Sequence, residues 1–126
     1  MHEVFEASPE PAGTSSTSLS RDELPYRLRQ QSLLGEFGSI AMQTRDFRKI
    51  LQRATALCSM GLPAPFVKVL EYQPDENCLK VRAGVGWAPG TIDSASLAAD
   101  IGSPAGYAYQ TGASVIANHL EVDTRF

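Results

Sequence analysis

Apolar positions along this chain change rhythm several times, and each change marks an element. Leu33, Phe37, Ile40 and Ala41 recur at helical spacing, with Tyr26 two turns earlier, and predict a helix from Asp22 to about Gln43. Asp22 would cap it and Pro25 would fall in the first turn, where a missing N–H does no harm. Phe47, Ile50, Leu51, Ala54, Leu57 and Cys58 repeat the pattern more closely and predict a second helix from Arg45 to about Met60. Thr44 is its expected cap, and Gly61 and Pro63 stop it. The rhythm then shortens to a strand. Phe66–Tyr72 is the more continuously apolar of two strand-like segments, as suits a strand covered on both faces. In Cys78–Val85, residues Leu79, Val81, Ala83 and Val85 alternate with Lys80 and Arg82. Pro74, Asp75 and Asn77 lie between the two and predict an antiparallel hairpin.

The pattern then breaks abruptly around Gly84, Gly86, Trp87, Pro89 and Gly90. Two apolar strand-like runs follow, Ser96–Ile101 and Ser114–Ala117, on either side of a short helix whose borders are spelled out. Ser103 is the N-cap, Pro104 the first helical residue and Gly112 the stop, since a proline wastes no N–H there and glycine takes the left-handed conformation readily. Residues 1–20, rich in Ser, Thr, Pro and Glu, read as a disordered leader, with the folded domain expected over 21–126.

Composition narrows the class. A chain of 126 residues with 43% hydrophobic and 20% charged residues suits one domain with its own core. A net charge of -3 leaves no electrostatic footprint for nucleic acid or an anionic membrane. No run approaches the ~20 apolar residues of a bilayer span, and the acidic N-terminus is unlike a secretory signal, so a cytoplasmic protein is expected. Cys58 and Cys78 lie in apolar periodic segments and read as buried free thiols.

Catalytic chemistry is not legible. The glycines around Trp87 match neither Gly-x-Gly-x-x-Gly nor the Walker pattern with its lysine. Arg45, Arg48, Lys49 and Arg53 fall off the apolar stripe and read as a solvated face. His119 stands near Asp123, but with no second histidine beside it the pair does not make a metal site, and no metal or other cofactor is expected. Gly35 and Gly38 would let a second helix approach the first one closely. Its stripe serves equally as a packing face on the sheet or as a pairing face in a homodimer.

The order helix, helix, hairpin, Gly84–Trp87 turn, Gly106-to-Gly112 helical segment and closing Asp123-Thr124-Arg125-Phe126 resembles the GAF domain of bacterial signalling proteins, above all the modules in front of sensor histidine kinases. The resemblance covers roughly Leu28 to Phe126. It implies an α/β (α+β) fold, an antiparallel sheet of about six strands with helices on both faces. It also implies a pocket for a small molecule between the sheet and the short helices, with Trp87, Tyr107 and Tyr109 as pocket-side candidates. The implied function is a non-catalytic small-molecule sensing module, homodimeric through its N-terminal helix.

Other branches of the resemblance fit less well. Bilin-binding relatives attach the chromophore through a cysteine often followed by histidine, and neither Cys58 nor Cys78 precedes one. The Asn-Lys-…-Phe-…-Asp-Glu signature of cyclic-nucleotide binders is absent, and His119 stands where many relatives carry an acid. A methionine sulfoxide reductase would need cysteines in the pocket loop, and a structural dimerisation module is the remaining alternative. The family pattern also continues past Asp-x-Arg-Phe with two strands and a closing helix. The chain therefore reads as C-terminally incomplete, with open sheet edges expected.

Overall fold

The computed structural model describes residues 3–8 and 19–126. Its elements in order are β1 (Glu3–Ser8), α1 (Leu19–Gln43), α2 (Phe47–Gly61), β2 (Phe66–Gln73), β3 (Cys78–Val85), β4 (Ser96–Ala98) and α3 (Pro104–Thr111), followed by a 3-10 turn at Leu120–Val122. The four strands form one antiparallel sheet in the order β1-β2-β3-β4.

The sheet is covered on both faces. Val69 and Leu70 are consecutive in a strand, so their side chains point to opposite sides. Val69 packs with Ala83 against Leu51 of α2, while Leu70 packs with Leu79, Val81 and Ala99 against Ala105 of α3. This explains why β2 is apolar on both faces, with every residue from Val67 to Leu70 buried, Lys68 among them. In β3 only Leu79, Val81 and Ala83 are buried, in alternation with Lys80 and Arg82. The hairpin turn places Asn77 at φ 48°, a conformation asparagine tolerates better than most residues. A bulge near Val69 and Leu70 shifts the register, so that Val69 faces Ala83 and Leu70 faces Val81.

Helix α1 lies on α2 rather than on the sheet. Gln30 Nε2 donates to the carbonyl of Gly61 at 3.0 Å, and the absent side chain of Gly61 makes room for Leu33. Leu33, Phe37, Ile40 and Ala41 are half-buried along this contact, whereas Tyr26 is exposed.

Several elements differ from expectation. Residues 3–8, read as part of a disordered leader, form β1 and pair along the whole of Glu3–Ser8 with Phe66–Glu71; the rest of that leader up to residue 18 lies outside the described residues. The first helix begins at Leu19 rather than Asp22, which leaves Pro25 inside it. The cap of α2 is Asp46, whose carboxylate accepts from the Lys49 amide at 3.3 Å; Thr44 instead accepts from the Asp46 amide at 3.1 Å. Strand β4 ends at Ala98, because Asp100 folds back to accept from the Gly102 amide at 2.9 Å and turns the chain. Residues 114–117 form no strand. Val115 and Ala117 are half-buried and Ser114 and Ile116 exposed, so the alternation is present but no neighbouring strand pairs with it. Cys58 and Cys78 are both free and half-buried rather than buried. The coarse class is α+β.

Candidate functional site

Helix α3 is seated by its own sequence. Ser103 Oγ accepts from the Gly106 amide at 3.1 Å, Pro104 opens the first turn and Gly112 closes the last at φ 66°. Gly106 has a further role, since a Cβ there would lie 1.8 Å from the Asp100 carbonyl oxygen. Only glycine lets the helix start so close to the exit of β4. Gln110 Nε2 then donates to the Ala99 carbonyl at 2.8 Å and ties the far end of the helix to the same segment.

So anchored, α3 presents Tyr109 to the sheet. Its ring stacks on Tyr72 with centroids 4.6 Å apart and planes 27° apart. Desolvation, and then the neighbouring Tyr72, push the Tyr109 hydroxyl above its usual value. Tyr109 also walls a cleft of about 530 Å³. One side of that cleft is β1, from Glu3 to Ala7. The other is α3, through Pro104, Ala105, Ala108 and Tyr109, with residues 112–115 beyond.

The other two candidates lie elsewhere. Trp87 Nε1 donates to the Val67 carbonyl at 2.9 Å, and its ring lies 5.3 Å from that of Phe66 and 4.8 Å from Lys68 Nζ. It clasps the end of the hairpin, fitting against Gly84, where a Cβ would meet its ring at 2.7 Å. Tyr107 stands edge-on to Phe126, 5.6 Å away at 86°. Of the three aromatic candidates, Tyr109 alone lines the cleft; Trp87 and Tyr107 hold chain segments together.

Ion pairs fix the surroundings. Arg82 reaches Glu71 at 2.5 Å and Asp93 at 3.0 Å, and Asp93 also meets Arg48 of α2 at 2.5 Å. This network fastens the loop after β3, where Asp93 sits at φ 65°, to both the sheet and a helix. Hydrogen bonds from Arg48 and then Arg82 hold the Asp93 carboxyl below the usual range. Past α3, Arg125 binds the Asp123 carboxylate and the Ile116 carbonyl, at 2.6 and 2.7 Å, and closes residues 116–125 into a loop. Hydrogen bonds from Arg125 lower Asp123 to about 2. The basic residues of α2 are engaged as well, Arg53 with Glu36 and Lys49 with Asp46.

A second, more apolar groove of about 420 Å³ runs between α1 and α2, lined by Phe5, Leu33, Leu34, Phe37, Leu57 and Cys58 among others. Burial pushes the Cys58 thiol up, which makes it a poorer nucleophile. Among the described residues, no group of three or more His, Cys, Asp or Glu could hold a metal ion. His119 is exposed, and its side chain does not cap the turn it precedes.

Glu3 was missed by the sequence reading, which placed it in the leader. It lines the cleft, and its Oε1 is shielded from solvent with no hydrogen-bond partner among the described residues. Desolvation, then the nearby charge of Glu71, raise its pKa. The signal for β1 was Val4-Phe5 alone, too short a β-favouring run to outweigh the polar residues after it.

No family model matches the chain, and no curated protein or solved structure resembles it at a significant level. Among the described residues no helix is long and apolar enough to cross a membrane.

Proposed function

We propose that this chain is a non-catalytic, GAF-type sensing and regulatory module of a bacterial signal-transduction protein. It would work in the cytoplasm as the N-terminal part of a sensor histidine kinase. The observation that carries the reading is the cleft between α3 and β1, walled by Tyr109 and floored by a helix whose caps fix its position. A ligand there touches α3, the residues after it and the sheet edge at once. Binding that favoured one placement of α3 would shift the population of states, and the sheet and α2 would pass the shift to α1. Support for the sensing role is the order of motifs described above. The test is a thermal-shift screen of the 126-residue chain against a small-molecule collection, with Tyr109→Ala as control. Stabilisation by a ligand that the variant no longer feels is the expected result; no stabilisation by any compound counts against the reading.

A second reading, a dimerisation module without a ligand, is favoured by the outer face of α1. Leu24, Leu28 and Met42 there are 64%, 61% and 90% exposed. Light scattering on the chain and on a Leu24→Glu, Leu28→Glu variant separates the two readings. A dimer that the variant breaks, with no ligand found, favours the second.

A further inference from the structure

The cleft has one wall unlike an ordinary ligand pocket, since every residue from Glu3 to Ala7 of β1 contributes to it. Strand β1 is the edge of the sheet, and among the described residues only β2 makes backbone hydrogen bonds to it. Its outer side therefore offers a row of N–H and C=O groups over about 17 Å, taking ~3.4 Å per residue. Edge strands are commonly blunted by charged side chains, proline, a bulge, shortness or a covering helix or loop. β1 has neither proline nor lysine, and its register with β2 runs without interruption from Glu3↔Glu71 to Ser8↔Phe66. The opposite edge, β4, is only three residues long. The long edge, guarded by acidic side chains alone, is the one that faces the cleft.

Charge selects the occupant. Two glutamates lie on β1, and among the described residues no lysine, arginine or histidine lines the cleft. Glu6 is answered by Lys68 at 3.1 Å; Glu3 makes no ion pair among the described residues, has only the N-terminal charge as a counterweight, and sits across from the like charge of Glu71. We propose that a basic, extended segment of a partner protein adds to β1 as a fifth strand. Its main chain would pair with Glu3–Ala7, and a lysine or arginine would stand opposite Glu3. Main-chain hydrogen bonds supply the affinity in this mode and the alternating side chains the choice of partner. The proposal rests on reading the cleft as the binding site and names its regulatory occupant.

The test uses the whole 126-residue chain and three probe peptides. These are acetyl-Thr-Val-Lys-Val-Thr-Ser-amide, the same peptide with Glu for Lys, and the first peptide with alternate amide nitrogens methylated. The lysine peptide is expected to bind and to slow amide exchange within residues 3–7. The glutamate peptide should bind about fivefold more weakly, as like charges face each other across strands, and the methylated peptide should not bind. Glu3→Lys should invert the preference between the first two. Equal binding of the methylated peptide would overturn strand addition. Binding of no peptide, with small molecules still found for the cleft, overturns this proposal and leaves the site standing; no response to either removes both. Concentration-dependent protection of the same amides without peptide would hand the edge to a second copy of the chain and overturn it too.

Discussion

Tyr109 of α3 stacks on Tyr72 of β2, and with the packing of Ala105 on the same sheet face this contact joins the floor of the cleft to the central hairpin. Tyr72 is itself steadied by its hydroxyl, which lies 3.0 Å from Asn77 Oδ1 in the hairpin turn. A chain of contacts thus runs from turn to strand to helix. Replacing either tyrosine by alanine should lower stability. In a double-mutant cycle followed by urea denaturation, the pair should show a coupling of about 0.5–1.5 kcal/mol. Additive losses would mean that the rings touch without depending on each other.

Two glycines are predicted to be irreplaceable for a reason of space. A Cβ at Gly106 would stand 1.8 Å from the Asp100 carbonyl oxygen, and one at Gly86, where φ is 84°, would stand 2.2 Å from that of Pro65. In both cases the obstacle is backbone, so no rotamer change relieves it. Gly106→Ala and Gly86→Ala should each destabilise by roughly 2 kcal/mol or more. Gly106→Ala should also displace α3 and weaken any ligand of the cleft.

How much of this was legible differs from element to element. The borders of α3 could be read letter by letter, because caps are local chemistry and Ser103, Pro104 and Gly112 act within one turn of where they stand. The hairpin was equally open, since alternation and turn residues are local too. Strand β1 was not, because what makes it a strand is Phe66–Glu71, some sixty positions away, rather than its own composition. The converse holds for residues 114–117, which carry a strand's alternation but find no partner. The same difference explains the site. An aromatic near glycines drew notice to Trp87, yet its ring is committed to Val67, Phe66 and Lys68. Glu3, in a stretch read as a tail, passed unseen.

Acid should weaken the fold through a defined pair of carboxylates. Asp93 is held below the usual range by Arg48 and Arg82, and Asp123 is held at about 2 by Arg125. A carboxyl whose folded pKa is depressed contributes stability above its unfolded value, about 3.9, and loses it as pH falls through the folded value. Denaturation curves should therefore give a plateau down to a pH of about 4.5 and a decline below it that continues toward 2. Asp123→Asn should remove the lowest part of that decline and leave the plateau's shape unchanged. A decline already complete at pH 4 would contradict the pairing.

Gly35 and Gly38 of α1 give a test of the dimer that runs opposite to intuition. A Cβ at either position meets nothing within 4 Å, so the helix surface around them is open in the single chain. Alanine is the better helix former, and each substitution should stabilise an isolated module by up to about 1 kcal/mol. If a second copy packs closely on this face, the added methyl groups will instead lower the dimer's melting temperature, increasingly so at low protein concentration. Melting curves of Gly35→Ala and Gly38→Ala over a hundredfold concentration range decide between these outcomes.

Glu3 should carry a pH dependence of the opposite sign to the aspartates. Its folded pKa is raised, first by desolvation and then by Glu71, so the ionised form is more at ease in the unfolded chain. Above the raised value it opposes folding. As pH falls through that value the folded state takes up the proton first, and the penalty disappears. Glu3→Gln keeps the shape, removes the charge and can offer an N–H toward its acidic neighbour. At pH 7 the variant should be the more stable, by up to about 0.5 kcal/mol, and the two proteins should converge below a pH of about 4. A variant less stable than the parent at neutral pH would mean that cationic charge, of which the N-terminus already supplies some, outweighs desolvation and Glu71, and with it the opening for a basic strand on β1 would close.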